Sequence, residues 1–319
     1  MIVTFTPNTA IDKTLTVPNF QVGFRHRASE SLTMPGGKGV NIARTLKTLG
    51  LPVVVSGLVG GRAGQQIVEG LARENLLNDF VHIAGESRTS TAVIDTTSMS
   101  QTEIIEYGPI VSEQELAAFH DKIDYLAKGA QSVVLAGSLP RRVPEDFYAQ
   151  VLQRLRHSRC FTVLDSSGEP LRLGVRARPK LVSPNLREAE DLVGYEFHDE
   201  QDIIDGAAII AEMGAQNVII TMQDGCVARM RHGRRHRVYR GRIPVLKDIV
   251  STVGSGDAFL AGFIACRFQK MDVDECLRYG LACGAANTQL YGAGVLDRDE
   301  VERLHATTEV VEVEPAAAG

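Results

Sequence analysis

Strand-like and helix-like segments alternate along most of this 319-residue chain, and that alternation constrains the fold more than any other feature. Short apolar runs typical of buried strands occur at 2–5, 53–56, 132–136, 161–165, 180–183 and 218–222. Segments with helical periodicity occur at 39–49, 64–74, 112–127, 144–156, 202–213, 258–268, 273–290 and 297–305. A β-α-β alternation of this kind predicts an α/β protein with a mostly parallel sheet and helices on both of its faces.

Two pairs of segments interrupt this alternation. Residues 13–17 with 25–34, and 89–96 with 102–107, alternate β-branched and polar side chains. This pattern is typical of antiparallel strands with one face exposed to solvent. We therefore expect a single domain over 1–319 with a small β-sheet lid, formed by about 12–34 and 88–107. The tail 310–319 ends in Pro-Ala-Ala-Ala-Gly, and we expect it to fray.

Charge and cysteine content restrict the partners and the compartment. The formal net charge is −5, which predicts no general affinity for nucleic acid or for an anionic membrane. No apolar run approaches the roughly 18 residues of a membrane-spanning helix, and no leader-like segment opens the chain. The five cysteines are scattered, with no Cys-x-x-Cys spacing. They predict reduced, mostly buried thiols and a cytoplasmic protein.

The segment from Ile249 to Phe259 carries the strongest functional signal. A strand-like approach leads into Gly254-Ser255-Gly256-Asp257, and an apolar helical run follows at once. Small residues let a ligand approach the backbone, and free N–H groups at a helix start attract an anion. With the Asp257 carboxylate at its edge, such an anion hole could transfer a phosphoryl group to a hydroxyl. Taken alone, these residues are better explained as a tight strand-to-helix turn with an acidic residue in the first turn; the rest of the chain reverses that preference.

Two further loops carry polar or glycine residues where α/β sheets bind ligands. Asp12 follows the first strand and could accept hydrogen bonds from two vicinal hydroxyls. Gly36 and Gly37 precede a helix that carries Asn41, and together they could contact sugar hydroxyls. The spacing matches neither a Walker A loop nor a dinucleotide-binding loop. A turn-stabilising aspartate and a solvated glycine loop are the structural alternatives.

Three arginines, Arg25, Arg27 and Arg88, fall on the lid segments. Converging arginines could hold a substrate phosphate through charge-assisted hydrogen bonds, although each alone is typical of a solvated surface. Ser138 lies in a glycine turn after a predicted strand, where it could face a substrate or belong to an ordinary loop.

Asn185 and Glu188 follow the predicted strand at 180–183. Functionally, they could position magnesium-bound waters and nucleotide phosphates. Structurally, an asparagine at the N-cap with a glutamate three residues later forms a capping box and needs no ligand.

In combination, these motifs resemble the ribokinase/pfkB family of sugar kinases over nearly the whole chain. The two family signatures correspond to Pro35–Asn41 and to Ser251–Phe263. Three further segments, Thr6–Asp12, Gly137–Pro140 and Leu164–Glu169, are similar to the branch that contains 1-phosphofructokinases, tagatose-6-phosphate kinases and the minor 6-phosphofructokinase.

The resemblance implies a Rossmann-like core, a β-lid that often pairs two subunits into a homodimer, MgATP as donor and a hexose phosphate as acceptor. It implies that Asp257 is the catalytic base and that Gly254, Ser255, Gly256 and Asp257 form the anion hole. The implied sugar-phosphate site comprises Asp12, Gly36, Gly37, Asn41, Ser138, Arg27, Arg88 and, at a position that is basic in some members, Arg25. The implied nucleotide site comprises Asn185, Glu188, Thr221, Gly225, Thr252 and Asn287, with Glu188 reaching Mg²⁺ through water.

The chain departs from the branch at two places. Ser183-Pro184-Asn185 stands where the branch usually has Lys-Pro-Asn, and the loop from Thr221 to Gly225 is shorter than usual. Two alternatives therefore stay open. One is a kinase of an unphosphorylated sugar or nucleoside, and the other is a non-catalytic, sugar-binding regulatory protein on a kinase fold.

Overall fold

A computed structural model describes residues 1–98, 100–233, 235–246 and 249–314. Its strands are β1 (Ile2–Thr6), β2 (Ala10–Thr16), β3 (Glu30–Gly36), β4 (Val53–Gly60), β5 (Val81–Ile83), β6 (Arg88–Asp95), β7 (Ser100–Ile105), β8 (Ser132–Ala136), β9 (Phe161–Asp165), β10 (Leu181–Val182), β11 (Val218–Met222), β12 (Gly225–His232), β13 (Arg235–Arg242) and β14 (Glu309–Val313). Its helices are α1 (Lys38–Thr48), α2 (Gly61–Arg73), α3 (Glu113–Ala127), α4 (Phe147–Arg154), α5 (Gly168–Arg176), α6 (Leu186–Val193), α7 (Glu200–Met213), α8 (Ser255–Phe268), α9 (Val273–Asn287) and α10 (Arg298–His305).

The main sheet has ten strands in the order β14-β13-β12-β11-β10-β9-β8-β1-β4-β5. From β5 to β11 along this order, each strand is parallel to the next. The edge formed by β12, β13 and β14 is antiparallel. The predicted mostly parallel sheet is therefore confirmed, with an antiparallel extension at one edge.

Helices cover both faces of this sheet because its parallel strands bury side chains on both sides. Successive residues of β1 show the division: Ile2 packs with α1, α2, α8, α9 and α10, whereas Val3 and Phe5 pack with α3 to α7. Phe5 meets Phe119 of α3 edge to face at a centroid distance of 6.2 Å. The result is a three-layer arrangement in which the carboxyl ends of the parallel strands share one edge.

The lid is a separate four-stranded sheet in the order β3-β2-β6-β7. Its outer pairs are antiparallel, but β2 and β6 are parallel, with Ala10 opposite Arg88. The expectation of antiparallel strands alone was therefore wrong for the central pair. The physical reason lies in the connections: β2 follows β1 and β6 follows β5, so both leave the same edge of the main sheet in the same direction.

Several helix ends differ from the expected ones. The helix expected from Pro144 begins at Phe147, whose N–H donates to the Pro144 carbonyl, and its last turn, at 155–157, is a 3-10 helix. Helix α9 ends at Asn287 instead of Leu290. The capping box of α3 is present as predicted, with both reciprocal Ser112–Glu115 hydrogen bonds.

The antiparallel edge of the main sheet was not predicted. Arginines and histidines occupy so many positions of β12 and β13 that the alternation of apolar residues is obscured. The expected fraying of the tail is also corrected, because β14 pairs with β13 and sets Val313 opposite Val238. Val310 and Val313 pack on opposite faces of the sheet, against its two cores. The end of the tail, 315–319, lies outside the described residues.

The five cysteines, at 160, 226, 266, 276 and 283, are buried and free, as the sequence predicted. In the portion of the chain that the structure covers, no helix is both long enough and apolar enough to cross a membrane.

Removing β14 should destabilise the protein although it lies at the end of the chain. Truncation after Thr308 uncovers β13 and removes the packing of Val310 and Val313. We expect a drop in the melting temperature on the order of 5 °C, given the usual conversion between free energy and melting temperature. Differential scanning calorimetry measures it. Truncation after Glu314 keeps β14 and is the control; equal melting temperatures for the two truncated proteins would contradict a structural role of β14.

Candidate active site

A cleft of about 960 Å³ lies where the carboxyl ends of the parallel strands meet the lid. Its wall contains residues from the ends of β1, β8 and β11, from the lid strands, and from the first turns of α1 and α8. Open α/β sheets bind ligands at this edge because the loops after parallel strands converge there. The cleft is also large enough for two substrates side by side.

Asp257 lies in the first turn of α8 and points towards the floor of the cleft. The turn begins at Gly254, whose backbone is left-handed with φ of 80° and whose absent Cβ would lie 2.6 Å from Ala293. Only glycine fits this approach. Among the described side chains, none caps α8. The Ser255 N–H donates to the Thr252 carbonyl at 3.3 Å, so the N–H groups of Gly256 and Asp257 are the ones in this turn that stay available for an anion. Ser255 and Gly256 of this turn also line the cleft.

The Asp257 carboxyl is 6% exposed and accepts a hydrogen bond of 2.8 Å from Nδ2 of Asn41. Burial raises its pKa to about 7; the Lys38 ammonium and the Asn41 hydrogen bond oppose that increase, while the charges of Asp165 and Asp12 add to it. A carboxylate with a pKa near neutrality can accept a proton efficiently at physiological pH. The geometry therefore suits a general base.

Lys38, which lines the cleft, forms an ion pair with the buried Asp165, with 2.6 Å between Nζ and Oδ1. Burial alone would lower the pKa of the Lys38 ammonium, but the charges of Asp165, Asp257 and Glu188 outweigh it and raise that pKa. Neither partner was among the predicted site residues. A signal was available for Asp165, because it ends β9 at the carboxyl edge of the sheet.

Asp12 lies on β2 at the base of the lid, beside the glycine loop formed by Gly36 and Gly37 at the end of β3. A Cβ on Gly36 would lie 2.0 Å from its carboxylate, and the Gly37 N–H donates to that carboxylate. Burial raises the pKa of Asp12 to about 6, against the lowering effect of Arg44 and Arg88. Gly36 therefore leaves room for the Asp12 carboxylate, and Gly37 lines the cleft beside it.

Arg88, Asn8 and Ser138 form one connected group on the lid side of the cleft. Nε of Arg88 donates to the Asn8 carbonyl at 3.3 Å, and Nδ2 of Asn8 donates to Oγ of Ser138 at 3.1 Å. All three line the cleft. Asn8 was not predicted as a site residue.

Arg25 and Arg27 lie on the exposed loop between β2 and β3, and neither contributes to the wall of the cleft. Of the three predicted phosphate-binding arginines, the structure thus brings only Arg88 together with Asp12 and Asn41. The roles of Arg25 and Arg27 stay predictions.

The predicted nucleotide-binding residues divide into two sets. Asn185, Thr221, Gly225 and Thr252 line the cleft, next to apolar side chains that could cover an adenine ring: Ile243, Leu246, Phe259 and Leu281.

Glu188 and Asn287 are placed differently. The Glu188 carboxylate accepts a hydrogen bond from the Asn185 N–H, which completes the capping box of α6. Burial and the neighbouring Asp165 raise its pKa, against the effect of Lys38. Asn287 is fully buried, and its Nδ2 donates to the carbonyls of Gly292 and Val295. Both residues therefore have local structural roles, and neither is part of the cleft wall.

The shortened loop noted in the sequence is a two-residue turn, Gln223–Asp224, between β11 and β12. Asp224 accepts a hydrogen bond from the buried guanidinium of Arg240, which also bonds Glu200 of α7. A Cβ on Gly225 would lie 2.0 Å from the Gly241 carbonyl, so the hairpin leaves no room there for a side chain. The nucleotide side of the cleft is therefore bordered by a tight and well-anchored turn.

Known proteins are similar to this chain in both sequence and fold. A family model of pfkB family carbohydrate kinases matches residues 8–299. The 1-phosphofructokinase of Bacillus subtilis (strain 168) is 32% identical over 90% of this chain and 92% of that protein. The tagatose-6-phosphate kinase of Staphylococcus epidermidis is 30% identical over 98% of this chain and 100% of that protein. The structure of Escherichia coli phosphofructokinase-2 in complex with substrates and products is 26% identical, with a TM-score of 0.88 over 96% of this chain and 98% of that chain.

The parallel-sheet edge, the lid and the helix-start anion site define a carbohydrate kinase that uses ATP to phosphorylate a sugar. The match over 8–299 shows more specifically that the chain belongs to the pfkB family. The resemblance inferred from the sequence motifs is confirmed, as are the fold class and the enzyme class.

Replacing Asp257 with asparagine should stabilise the protein increasingly as the pH rises from about 4 to about 7. The ordinary pKa of an aspartate is 3.8, whereas burial raises the pKa of Asp257 to about 7 in the fold, so the folded protein binds this proton more tightly than the unfolded chain. Wild-type stability therefore falls through this pH range, whereas the amide has no charge to bury. Thermal unfolding between pH 4 and pH 8 measures the difference, with the exposed Asp121→Asn as control. If the difference in melting temperature between Asp257→Asn and wild type does not change with pH, the raised pKa of Asp257 is contradicted.

Proposed function

We propose that this enzyme phosphorylates a hydroxyl of a hexose phosphate, as a 1-phosphofructokinase or tagatose-6-phosphate kinase would. The observation that carries the proposal is the placement of Arg88 on the lid, in the same cleft as the buried base Asp257. An arginine there can bind a phosphate already present on the sugar, while the base faces a free hydroxyl. The names of the two relatives from Bacillus subtilis and Staphylococcus epidermidis support the same class of substrate.

On the acceptor side, Asp12 and Asn41 orient the sugar hydroxyls, with Gly36, Gly37 and Ser138 shaping the wall around them. Asp257 accepts the proton of the attacking hydroxyl as that oxygen forms its bond to the γ-phosphorus and the bond to the β–γ bridging oxygen breaks. Positioning of the two groups in one cleft contributes much of the rate acceleration.

On the donor side, the N–H groups of Gly254, Gly256 and Asp257 stabilise the charge on the transferred group, and Ser255 lines the cleft in the same turn. Asn185, Thr221, Gly225 and Thr252 contact the nucleotide, and Asn287 supports the loop beneath it from the end of α9. The Lys38 ammonium adds a positive charge between donor and acceptor, where negative charge accumulates in the transition state.

Magnesium, which accompanies ATP, neutralises phosphate charge when it is bound. The described residues contain no group of three or more histidine, cysteine, aspartate or glutamate side chains suited to hold a metal. This suits Mg²⁺, which usually keeps several waters and binds substrate phosphates together with one or two carboxylates. Glu188 would contribute through such a water.

The whole chain, 1–319, acts in this proposal as one kinase domain with the lid at 12–34 and 88–107. The lid exposes Leu32, Ile104 and Ile105, which are 38%, 60% and 58% accessible in the single chain. Exposed apolar side chains on a sheet favour pairing with a second copy, so we propose a homodimer through the lid, in the cytoplasm. Arg25 and Arg27 would reach a bound phosphate only if the loop between β2 and β3, which carries them, moved over the active-site cleft of either subunit.

The substrate class is tested by measuring ADP release from MgATP with a panel of acceptors. The panel contains fructose 1-phosphate, fructose 6-phosphate, tagatose 6-phosphate, free fructose, ribose and a nucleoside. We expect turnover with at least one phosphorylated hexose, and loss of about a hundredfold or more in turnover for Asp257→Asn, the range of general-base effects. Asp257→Asn, purified in the same way, also serves as the control for ADP release by contaminating kinases.

Turnover confined to free fructose, ribose or the nucleoside would overturn the proposed substrate class and favour a kinase of an unphosphorylated acceptor. Sugar binding by calorimetry without any turnover would favour a non-catalytic binding protein. Turnover of Asp257→Asn within about tenfold of wild type would exclude Asp257 as the base.

Arg88→Ala should weaken the binding of the sugar phosphate much more than that of ATP. Loss of a charged hydrogen bond to a phosphate predicts an increase of about tenfold to a hundredfold in KM for the sugar phosphate. Steady-state kinetics with each substrate varied in turn measures the two KM values. The control is Arg73→Ala, an exposed arginine on α2 outside the cleft. Equal changes in both KM values would argue against a phosphate-binding role.

A further inference from the structure

Arg44 is a buried arginine, 7% exposed, that lies behind the active site on α1. Its guanidinium forms two hydrogen bonds to the Glu74 carboxylate, at 2.7 and 3.0 Å. It also donates to the carbonyls of Pro35 at 2.6 Å and Ala293 at 2.8 Å. A fifth hydrogen bond, of 3.2 Å, reaches Oδ1 of Asn41. One side chain thus connects α2, the glycine loop, the loop beneath Gly254 and the residue that contacts the base.

The contact with Asn41 determines which way its amide points. A guanidinium has five donors and no acceptor, so it can face only the oxygen of that amide. The nitrogen is then directed to Oδ2 of Asp257, at 2.8 Å. The reversed amide would set N–H groups against the guanidinium and an oxygen against the carboxylate, which is unfavourable on both sides in a buried site.

We propose that Arg44 is a positioning residue for the phosphoryl transfer: it fixes the amide of Asn41 so that Asn41 donates to Asp257 and holds that carboxylate in place. The inference rests on the proposed role of Asp257 as the base. Arg44 is not part of the cleft wall, so it acts on the reaction through Asn41 and not by contact with a substrate.

The neighbouring contacts allow this role to be separated from a purely structural one. Thr45 donates to the Gly294 carbonyl at 3.0 Å, which anchors the same loop independently of Arg44. Glu74 lies at the opposite end of the guanidinium from Asn41, and its carboxylate can be changed without touching the active site. Loss of Arg44 should therefore leave the loop attached.

Besides burial, four groups influence the pKa of the Asp257 carboxyl: Lys38 from α1, Asp165 from β9, Asp12 from β2 and the amide of Asn41. The hydrogen bond from Asn41 favours the charged carboxylate and opposes the increase in pKa caused by burial. Without Arg44, the amide can turn and this hydrogen bond is lost for part of the time. The pKa of Asp257 should then rise further above about 7, and less of the base would be ready at neutral pH.

A double-mutant cycle with Arg44→Met and Asn41→Ala tests the coupling. With the acceptor that the substrate panel identifies, we expect Arg44→Met to lower kcat about tenfold or more in the wild-type background, within the range of general-base effects. In the Asn41→Ala background the same substitution should lower kcat less than about threefold, because the group through which it acts is gone. KM for ATP should change little, since Arg44 touches neither substrate and Asn41 lies on the acceptor side of the cleft.

Equal losses of kcat in the two backgrounds would overturn the proposal and leave Arg44 with a structural role. Glu74→Gln is the matched control, because it weakens the ion pair and leaves the contact with Asn41; a loss of kcat as large as that of Arg44→Met would also overturn it. If Arg44→Met does not fold, Arg44→Lys replaces it in the cycle, since lysine keeps the charge but cannot bridge all four partners.

A second readout needs no substrate and separates this inference from the substrate proposal. The titration of Asp257, followed by NMR of ¹³C-labelled aspartate carboxyls, should move to higher pH in Arg44→Met than in wild type, and Asn41→Ala should show the same displacement. An unchanged titration in Arg44→Met would contradict the positioning role. Absence of turnover with every panel acceptor would refute the proposed substrate class while this titration still tests Arg44.

Discussion

The active site depends on one constraint, which is that several carboxylates are gathered where little water reaches them. The parallel strand β9 ends in Asp165 at the carboxyl edge of the main sheet, the lid strand β2 brings Asp12 to the same place, and α8 adds Asp257. Burial raises the pKa of Asp257 to about 7 and that of Asp12 to about 6. Lys38 offsets part of this cost through its ion pair with Asp165. The fold thus maintains a set of weakened acids, which is the property that proton transfer at neutral pH requires.

Close backbone approaches make this arrangement possible. Gly36 leaves the space that the Asp12 carboxylate occupies, and Gly254 lets the start of α8 pass against Ala293. A methyl group at either position would overlap those neighbours, at 2.0 and 2.6 Å. The glycine motifs therefore bring the lid, α1 and α8 near enough for the charged groups to act on one another.

Local sequence patterns predicted the parts of the molecule that local physics determines. The strands β1, β8, β9 and β11 and the helix after Gly254 follow from periodicity and from small residues at a helix start, and the resemblance extended them to a family. The parallel pairing of β2 with β6 was missed because strand direction depends on how distant segments leave the main sheet. The ion pair of Lys38 with Asp165 joins residues 127 positions apart, which no local pattern reveals.

The two sides of the cleft also differ in how far a single sequence can specify them. On the acceptor side, Asp12, Asn41 and Asp257 are fixed by glycines and by buried hydrogen bonds, so the motif residues and the site residues largely coincide. On the donor side, the Gln223–Asp224 turn depends on Arg240, which lies on a strand that the sequence did not predict. The shortened loop is therefore held by a buried charge from elsewhere in the sheet. Thr221 and Gly225 line the cleft on either side of this turn, so the shorter loop keeps both of them in the wall.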